Sequence, residues 1–414
     1  MEHLKITKQE RCWILYDVGN SAFILLVSTI IPIYFNHLAA SAGMSEVDYL
    51  AYWGYAASIS TVIVALIGPV LGAIADTKSF KKPLFTACML IGVIGCGALA
   101  VPLSWMAFLA VFILAKVGYN ASLIFYDSML VDVTTVQRLD QVSSHGYAWG
   151  YIGSCIPFVV SLGFVLLYRQ IGISMRTAVA IAFFLNAAWW LLFSIPLLKT
   201  YEQKYYVQLP KRPARDSFQR LFQTLCDIKN QKHIFWYLLS FFFFIDGVYT
   251  IIEMATAYGS ALGLASSQLL LALLATQLVA FPCALVFSRL SKTCETSRLL
   301  KICILAYTGI SLFAVQLDKQ WEFWVLAVLV GMFQGAIQAL SRSYFAKIIP
   351  TDKSGEYFGI YDICGKGASF LGTTLVGAVT QITGAANAGV PMLTVLFLIG
   401  FVLFSKAAKL GNAA

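Results

Sequence analysis

The chain has 414 residues, 59% hydrophobic and only 12% charged, with 29 Lys and Arg against 20 Asp and Glu for a net charge of +9. Soluble domains average about 45–50% apolar and about 25% charged residues, so this much apolar surface calls for a bilayer. Nucleic acid is excluded as the partner of the positive charge, because the bases lie in short loops between apolar runs and not on one basic face.

A membrane span needs about 20 mostly apolar residues. In chain order the candidates are 12–38, 50–75, 83–103, 105–132, 143–168 and 177–198, then 233–259, 267–288, 299–317, 321–346, 355–382 and 390–405. Between the sixth and seventh lies the one long polar run, 199–232, with eight bases against three acids and a Pro-Lys-Arg-Pro knot at Pro210–Pro213. The expected organisation is a six-helix half (1–198), a basic linker (199–232) and a second six-helix half (233–414). With the N-terminus inside, 23 of the 29 bases fall on the cytoplasmic side and only Arg169, Arg176 and Lys319 outside. That asymmetry is the positive-inside pattern, so both termini and the linker are expected in the cytoplasm. The expected host is the plasma (inner) membrane, with a vacuolar membrane as the alternative. The nine cysteines show no metal-ligand spacing, and no cofactor or metal is expected.

Ionisable residues inside spans carry the chemistry. Asp17, Lys116, Asp127, Asp132, Asp246, Glu253, Arg342, Asp362 and Lys366 all lie there. Each costs about 2.5–3.5 kcal/mol at the bilayer centre, so most must face a packed interior or a wet cavity. Their spacing is helical. Asp17, Asn20 and Ser21 form one patch in span 1; Lys116, Asn120 and Asp127 form a stripe in span 4. Asp246 and Glu253 stand two turns apart in span 7, and Gln334, Gln338 and Arg342 repeat every four residues in span 10. Two readings stay open: a shared water-accessible chamber, or static salt bridges. Asp362 and Lys366 stand at i, i+4, where a static pair is as good a reading as a functional one. The halves also echo one another, with Asp17-Val18-Gly19 in span 1 against Asp246-Gly247-Val248 in span 7, as duplicated transporter halves do.

The loop Gly72-Ala73-Ile74-Ala75-Asp76-Thr77-Lys78, followed by Lys81-Lys82, resembles the signature loop of the major facilitator superfamily, with Thr77 at its first basic position. Tyr16-Asp17-Val18-Gly19-Asn20-Ser21-Ala22-Phe23, Asp246-Gly247-Val248-Tyr249-Thr250, the run Gln338 to Pro350 and Gly365 to Gly372 resemble blocks of its vacuole-effluxer-like branch. Span 4 departs from that branch: Asp127 stands where the branch has Asn, Val131 where it has Pro, and Asp132 where it has Glu. The resemblance implies an all-α integral membrane fold of twelve transmembrane helices in two pseudo-symmetric six-helix bundles, with spans 1, 4, 7 and 10 around a central cavity.

The function expected is secondary active transport of a small polar solute, an amino acid or short peptide, by alternating access with proton or cation coupling. The alternative is a non-transporting receptor or scaffold on the same fold; an enzyme is not expected. Substrate contacts are expected from Asn20, Ser21, Lys116, Asn120, Tyr249, Gln334, Gln338 and Arg342. Coupling is expected from Asp17, Asp127, Asp246 and Glu253, and a conformational latch from Asp76, Lys78, Asp132 and Lys366. The expected partners are the solute, protons or cations and the lipid bilayer, with no nucleic acid and a monomeric chain.

Overall fold

The computed structural model describes residues 6–101, 104–208, 221, 223–224, 226–261, 265–317, 319–383 and 389–411. The centre of the basic linker therefore lies outside the described residues, as does the side chain of Glu253. Among the described residues the chain forms twelve long helices and no strand; one isolated bridge pairs Thr77 with Val207.

The first six are α1 (Lys8–Ser28, continued by Ile30–Ser41), α2 (Glu46–Ala75), α3 (Lys81–Ala98), α4 (Trp105–Ser128, continued by Leu130–Val133), α5 (Leu139–Ile171) and α6 (Met175–Thr200). The second six are α7 (Lys232–Ala261), α8 (Ser266–Leu290), α9 (Thr296–Val315), α10 (Gln320–Ile348), α11 (Ser354–Thr383) and α12 (Val390–Gly411). Each matches one expected span. Among the described residues, eleven are long and apolar enough to cross a bilayer by length and composition. α11 carries Glu356, Asp362, Lys366 and several glycines.

The helix ends are written locally. Thr7 and Glu10 form a reciprocal capping box at α1. Ser45, Ser104 and Ser174 accept the Asp48, Ala107 and Thr177 amides at the starts of α2, α4 and α6. Gly172 closes α5 in the left-handed region at φ 77°. The break in α1 falls where the Thr29 hydroxyl turns back on the Leu25 carbonyl and Pro32 has no N–H to offer Ser28.

Packing repeats between the halves. α1 packs on α5 and α6 as α7 packs on α11 and α12; α4 packs on α2 and α3 as α10 packs on α8 and α9. The same swap relates the contacts between halves, α2 and α4 on α11, and α8 and α10 on α5. Leu66, Ile94 and Val402 are 73%, 66% and 65% exposed, an outer apolar surface that suits lipid. Where α2 meets α11, a Cβ on Gly72 would strike the Gly355 carbonyl, so only bare backbone lets these helices touch.

Candidate functional site

Arg342 of α10 lies 2% exposed on the line between the halves. Its Nη1 donates to Asp127 Oδ1 of α4 at 2.9 Å, and its Nη2 is 3.5 Å from Asp17 Oδ2 of α1. Nε donates to Ser143 Oγ at 2.9 Å and Nη2 to the Ser143 carbonyl at 3.1 Å, both on α5. The rings of Tyr147, Trp13 and Tyr126 surround the guanidinium, 4.4, 4.7 and 5.5 Å from its carbon. One charge from the second half is thus held by three helices of the first, with donors and π-faces used together. Gly146 makes room: a Cβ there would stand 2.6 Å from Asp17 Oδ2 and 3.1 Å from Arg342 Nη2.

Asp127 keeps 21% of its side-chain surface exposed against 3% for Arg342. Lys366 of α11 pairs with Asp362 at 2.5 Å and lies 3.4 Å from the Asn120 carbonyl of α4. That pair is 19% and 15% exposed, so the α4–α11 gap is not fully packed at this depth. Lys116, Ser21, Tyr249 and Gln338 are half-buried; Asn20, Asn120 and Gln334 are buried.

Two seams close the end that carries the linker. At the first, the Asp76 carboxylate, just past α2, accepts the Gly355 and Glu356 amides at 2.7 and 2.8 Å and so caps α11. Lys81 stands 3.7 Å from Asp76 and 3.3 Å from Asp132, and donates to Ser354 Oγ at 2.8 Å. Asp132 is also held by the Tyr201 hydroxyl at 2.6 Å and the Lys204 and Tyr205 amides at 3.1 and 3.0 Å. At the second seam, Asp140 in the first turn of α5 accepts from Thr296 and Ser343 at 2.6 Å each and from Lys347 at 2.5 Å. The seams are related by the swap of halves: the start of α3 and the end of α4 gather at the start of α11, and the start of α9 and the end of α10 gather at the start of α5.

The family model described as "Vacuole effluxer Atg22 like" matches residues 7–133 and 131–409. The chain belongs to the vacuole effluxer Atg22-like family. This Atg22-like chain is 41% identical over 406 residues to the uncharacterized MFS-type transporter YxiO of Bacillus subtilis (strain 168), covering 97% of this chain and 95% of that protein. It is 25% identical over 291 residues to autophagy-related protein 22-2 of Aspergillus clavatus, covering 63% of this chain and 46% of the fungal one. The chain thus spans about half the length of such fungal relatives. Among solved structures, the human organic anion transporter MFSD10 superposes with a TM-score of 0.71 at 15% identity, covering 96% of this chain and 98% of that one. An outward-facing bacterial ferroportin homologue gives 0.68 at 14%, covering 98% and 100%. The Atg22-like protein is a multi-pass membrane transporter of the major facilitator superfamily and not an enzyme. That assignment favours transport over the receptor or scaffold reading.

Against the sequence expectations, the Atg22-like chain unites Asp17, Asp127 and Arg342 but places Asp246 elsewhere. Asp246 is fully buried and accepts from the Gly372 amide at 2.9 Å and from Thr250 at 3.4 Å. Of the residues expected in a latch, Asp76 and Asp132 meet at the first seam, where the base between them is Lys81. Lys78 instead lies over the Tyr206 ring at 5.2 Å, because it sits in the turn while Lys81 opens α3. Lys366 is three turns into α11, beside the Asn120 carbonyl and away from the first seam. The Lys116 ammonium is 5.9 Å from the Phe112 ring centre. Sequence reading missed Ser143, Tyr147, Asp140, Thr296 and Ser343. The i, i+4 pair Ser343–Lys347 beside Arg342 was the signal available for the second seam.

A pH response is expected from Asp76. Burial raises its carboxyl to about 7, outweighing Lys81 and the two amides. Opening the seam would return it to water and toward its ordinary 3.8. The sealed state therefore binds the proton more tightly; it gains on the open state as pH falls, and the gain is lost as pH rises through about 7. Spin-label distances between the ends of α2 and α11 should report more sealed molecules at about pH 6 than at about pH 8, with Asp76→Asn insensitive.

Proposed function

We propose that this protein moves an amino acid or short peptide by alternating access, driven by protons, with residues 1–198 and 233–414 rocking about the site as a monomer. The linker 199–232 and both termini then face the cytoplasm, in an inner plasma membrane. The observation that supports this reading most is Arg342 held across the halves by Asp17 and Asp127, beside the partly exposed Asp127, Asp362 and Lys366. An ion pair that bridges two moving halves is a lock, and neutralising one partner opens it.

Protonation of Asp127 frees Arg342 on one side. A substrate carboxylate replacing Asp127 does the same, while its ammonium takes Asp127 or Asp362 as partner. Both signs are present, so a zwitterion suits the site. Asn20, Ser21, Lys116, Asn120, Tyr249, Gln334 and Gln338 supply the surrounding polar contacts, and Lys366 a second anion partner. Asp246 is a second-half coupling candidate that acts apart from Arg342, and Glu253 of the same helix is another. Asp76 and Asp132, with Lys81, hold the cytoplasmic end shut while the site faces outward.

Proteoliposome uptake of labelled amino acids under an imposed proton gradient tests the proposal. Gradient-driven uptake should fall about tenfold or more in Asp127→Asn, while gradient-independent exchange persists. Gradient-driven uptake unchanged by that substitution would sink it.

A further inference from the structure

Away from the Arg342 site and both seams, the first turn of α7 and the last turns of α12 enclose a recess of about 390 Å³ at the linker end. Lys229, Lys232, Phe235 and Trp236 line one side, Lys406 and Leu410 the other. The Lys406 ammonium stands 3.5 Å from the centre of the Trp236 ring. Among the described residues, none of these three lysines forms a salt bridge.

We propose that this recess binds the phosphate headgroup of one anionic phospholipid from the linker-side leaflet. Three ammonium groups gathered in one recess repel each other until an anion sits between them. The 30-residue helix α7 begins here, so its first free amides add partial positive charge. Phe235, 39% exposed, and Leu410 give the recess an apolar edge. That edge fits the glycerol and upper acyl chain of a lipid, and free phosphate has no use for it. Lys and Trp at a helix end also mark the depth where headgroups lie. Residues 226–230 at the end of the linker are helical, and Gln231 alone separates them from α7. A lipid held by Lys229, Lys232 and Lys406 therefore ties the linker to the second half.

Native mass spectrometry of the full chain, released from vesicles of equal phosphatidylglycerol and phosphatidylcholine, tests this without any transport readout. One phosphatidylglycerol should stay bound in preference to phosphatidylcholine. Each Lys→Gln change should weaken retention roughly fivefold, and K229Q/K232Q/K406Q roughly a hundredfold. K292Q/K301Q/K353Q, which removes linker-end charge elsewhere, should retain the lipid, as should K229R/K232R/K406R. Equal retention by wild type and K229Q/K232Q/K406Q overturns the proposal, as does equal loss in the control triple. Displacement of the lipid by equimolar inorganic phosphate overturns the assignment to a lipid.

Discussion

Arg342→Gln is expected to abolish gradient-driven uptake and to lower the apparent melting temperature in detergent by several degrees. The substitution removes a cation that Asp17 and Asp127 share, and both carboxylates are mostly withdrawn from the surface. Removing one member of a buried pair costs about 3–5 kcal/mol, most of it from the charge left behind. It also empties a slot walled by Trp13, Tyr126 and Tyr147. Arg342→Lys should recover little, since an ammonium cannot fork between Asp127 and Ser143 or stack as a plane. The double variant Arg342→Gln/Asp127→Asn should regain part of the stability and none of the transport. That split separates a folding role from a working one. Wild-type uptake by Arg342→Gln would remove the lock from the mechanism.

The second large effect concerns the seam between α5 and α10. Asp140→Asn leaves one acceptor oxygen where two now serve Thr296, Ser343 and Lys347. Charged hydrogen bonds contribute about 1.5–3 kcal/mol each, but the Lys347 side chain is 24% exposed and water can take part of its share. A net loss of about 2 kcal/mol shifts the sealed-to-open ratio roughly thirtyfold. Spin-label distances between the linker ends of α4 and α10 should show the longer population grow. Asp140→Asn and Lys347→Gln together should do less than the sum of the singles, because they break the same contact. An unchanged distance distribution in both singles would show that the seam does not hold the closed state.

Much of the site was legible in the chain. Asp17, Asp127 and Arg342 stood out because a charge within an apolar run demands a partner whatever the fold. Their partners were less legible. Asp17 and Asp246 look alike in sequence, yet only Asp17 meets Arg342. The difference is which way α1 and α7 are turned, and packing sets that. The departure at Asp127 from the family's usual Asn proved informative, since that carboxylate takes the 2.9 Å bond from Arg342.

Helix ends were the weak point. Asp140, Thr296 and Lys347 lie near chain turns, where polar residues ordinarily meet water. Only when α5 is pressed against α9 and α10 do they become a buried cluster. The same holds for Lys81, which composition cannot tell from Lys78 or Lys82. It alone enters the interior, because it starts a helix whose first turn faces Asp132.

By itself the sequence determined the twelve spans and which residues could not face lipid. Those follow from hydropathy and the 3.6-residue period, which act within a single helix. Only the tertiary structure decided that Arg342 joins Asp17 and Asp127, that Lys81 serves the first seam and that Asp140 anchors a second. Apart from Lys81 with Asp76, those pairings join residues 51 to more than 300 positions apart. They depend on how each helix is rotated and how closely glycines let neighbours approach, which no local pattern encodes.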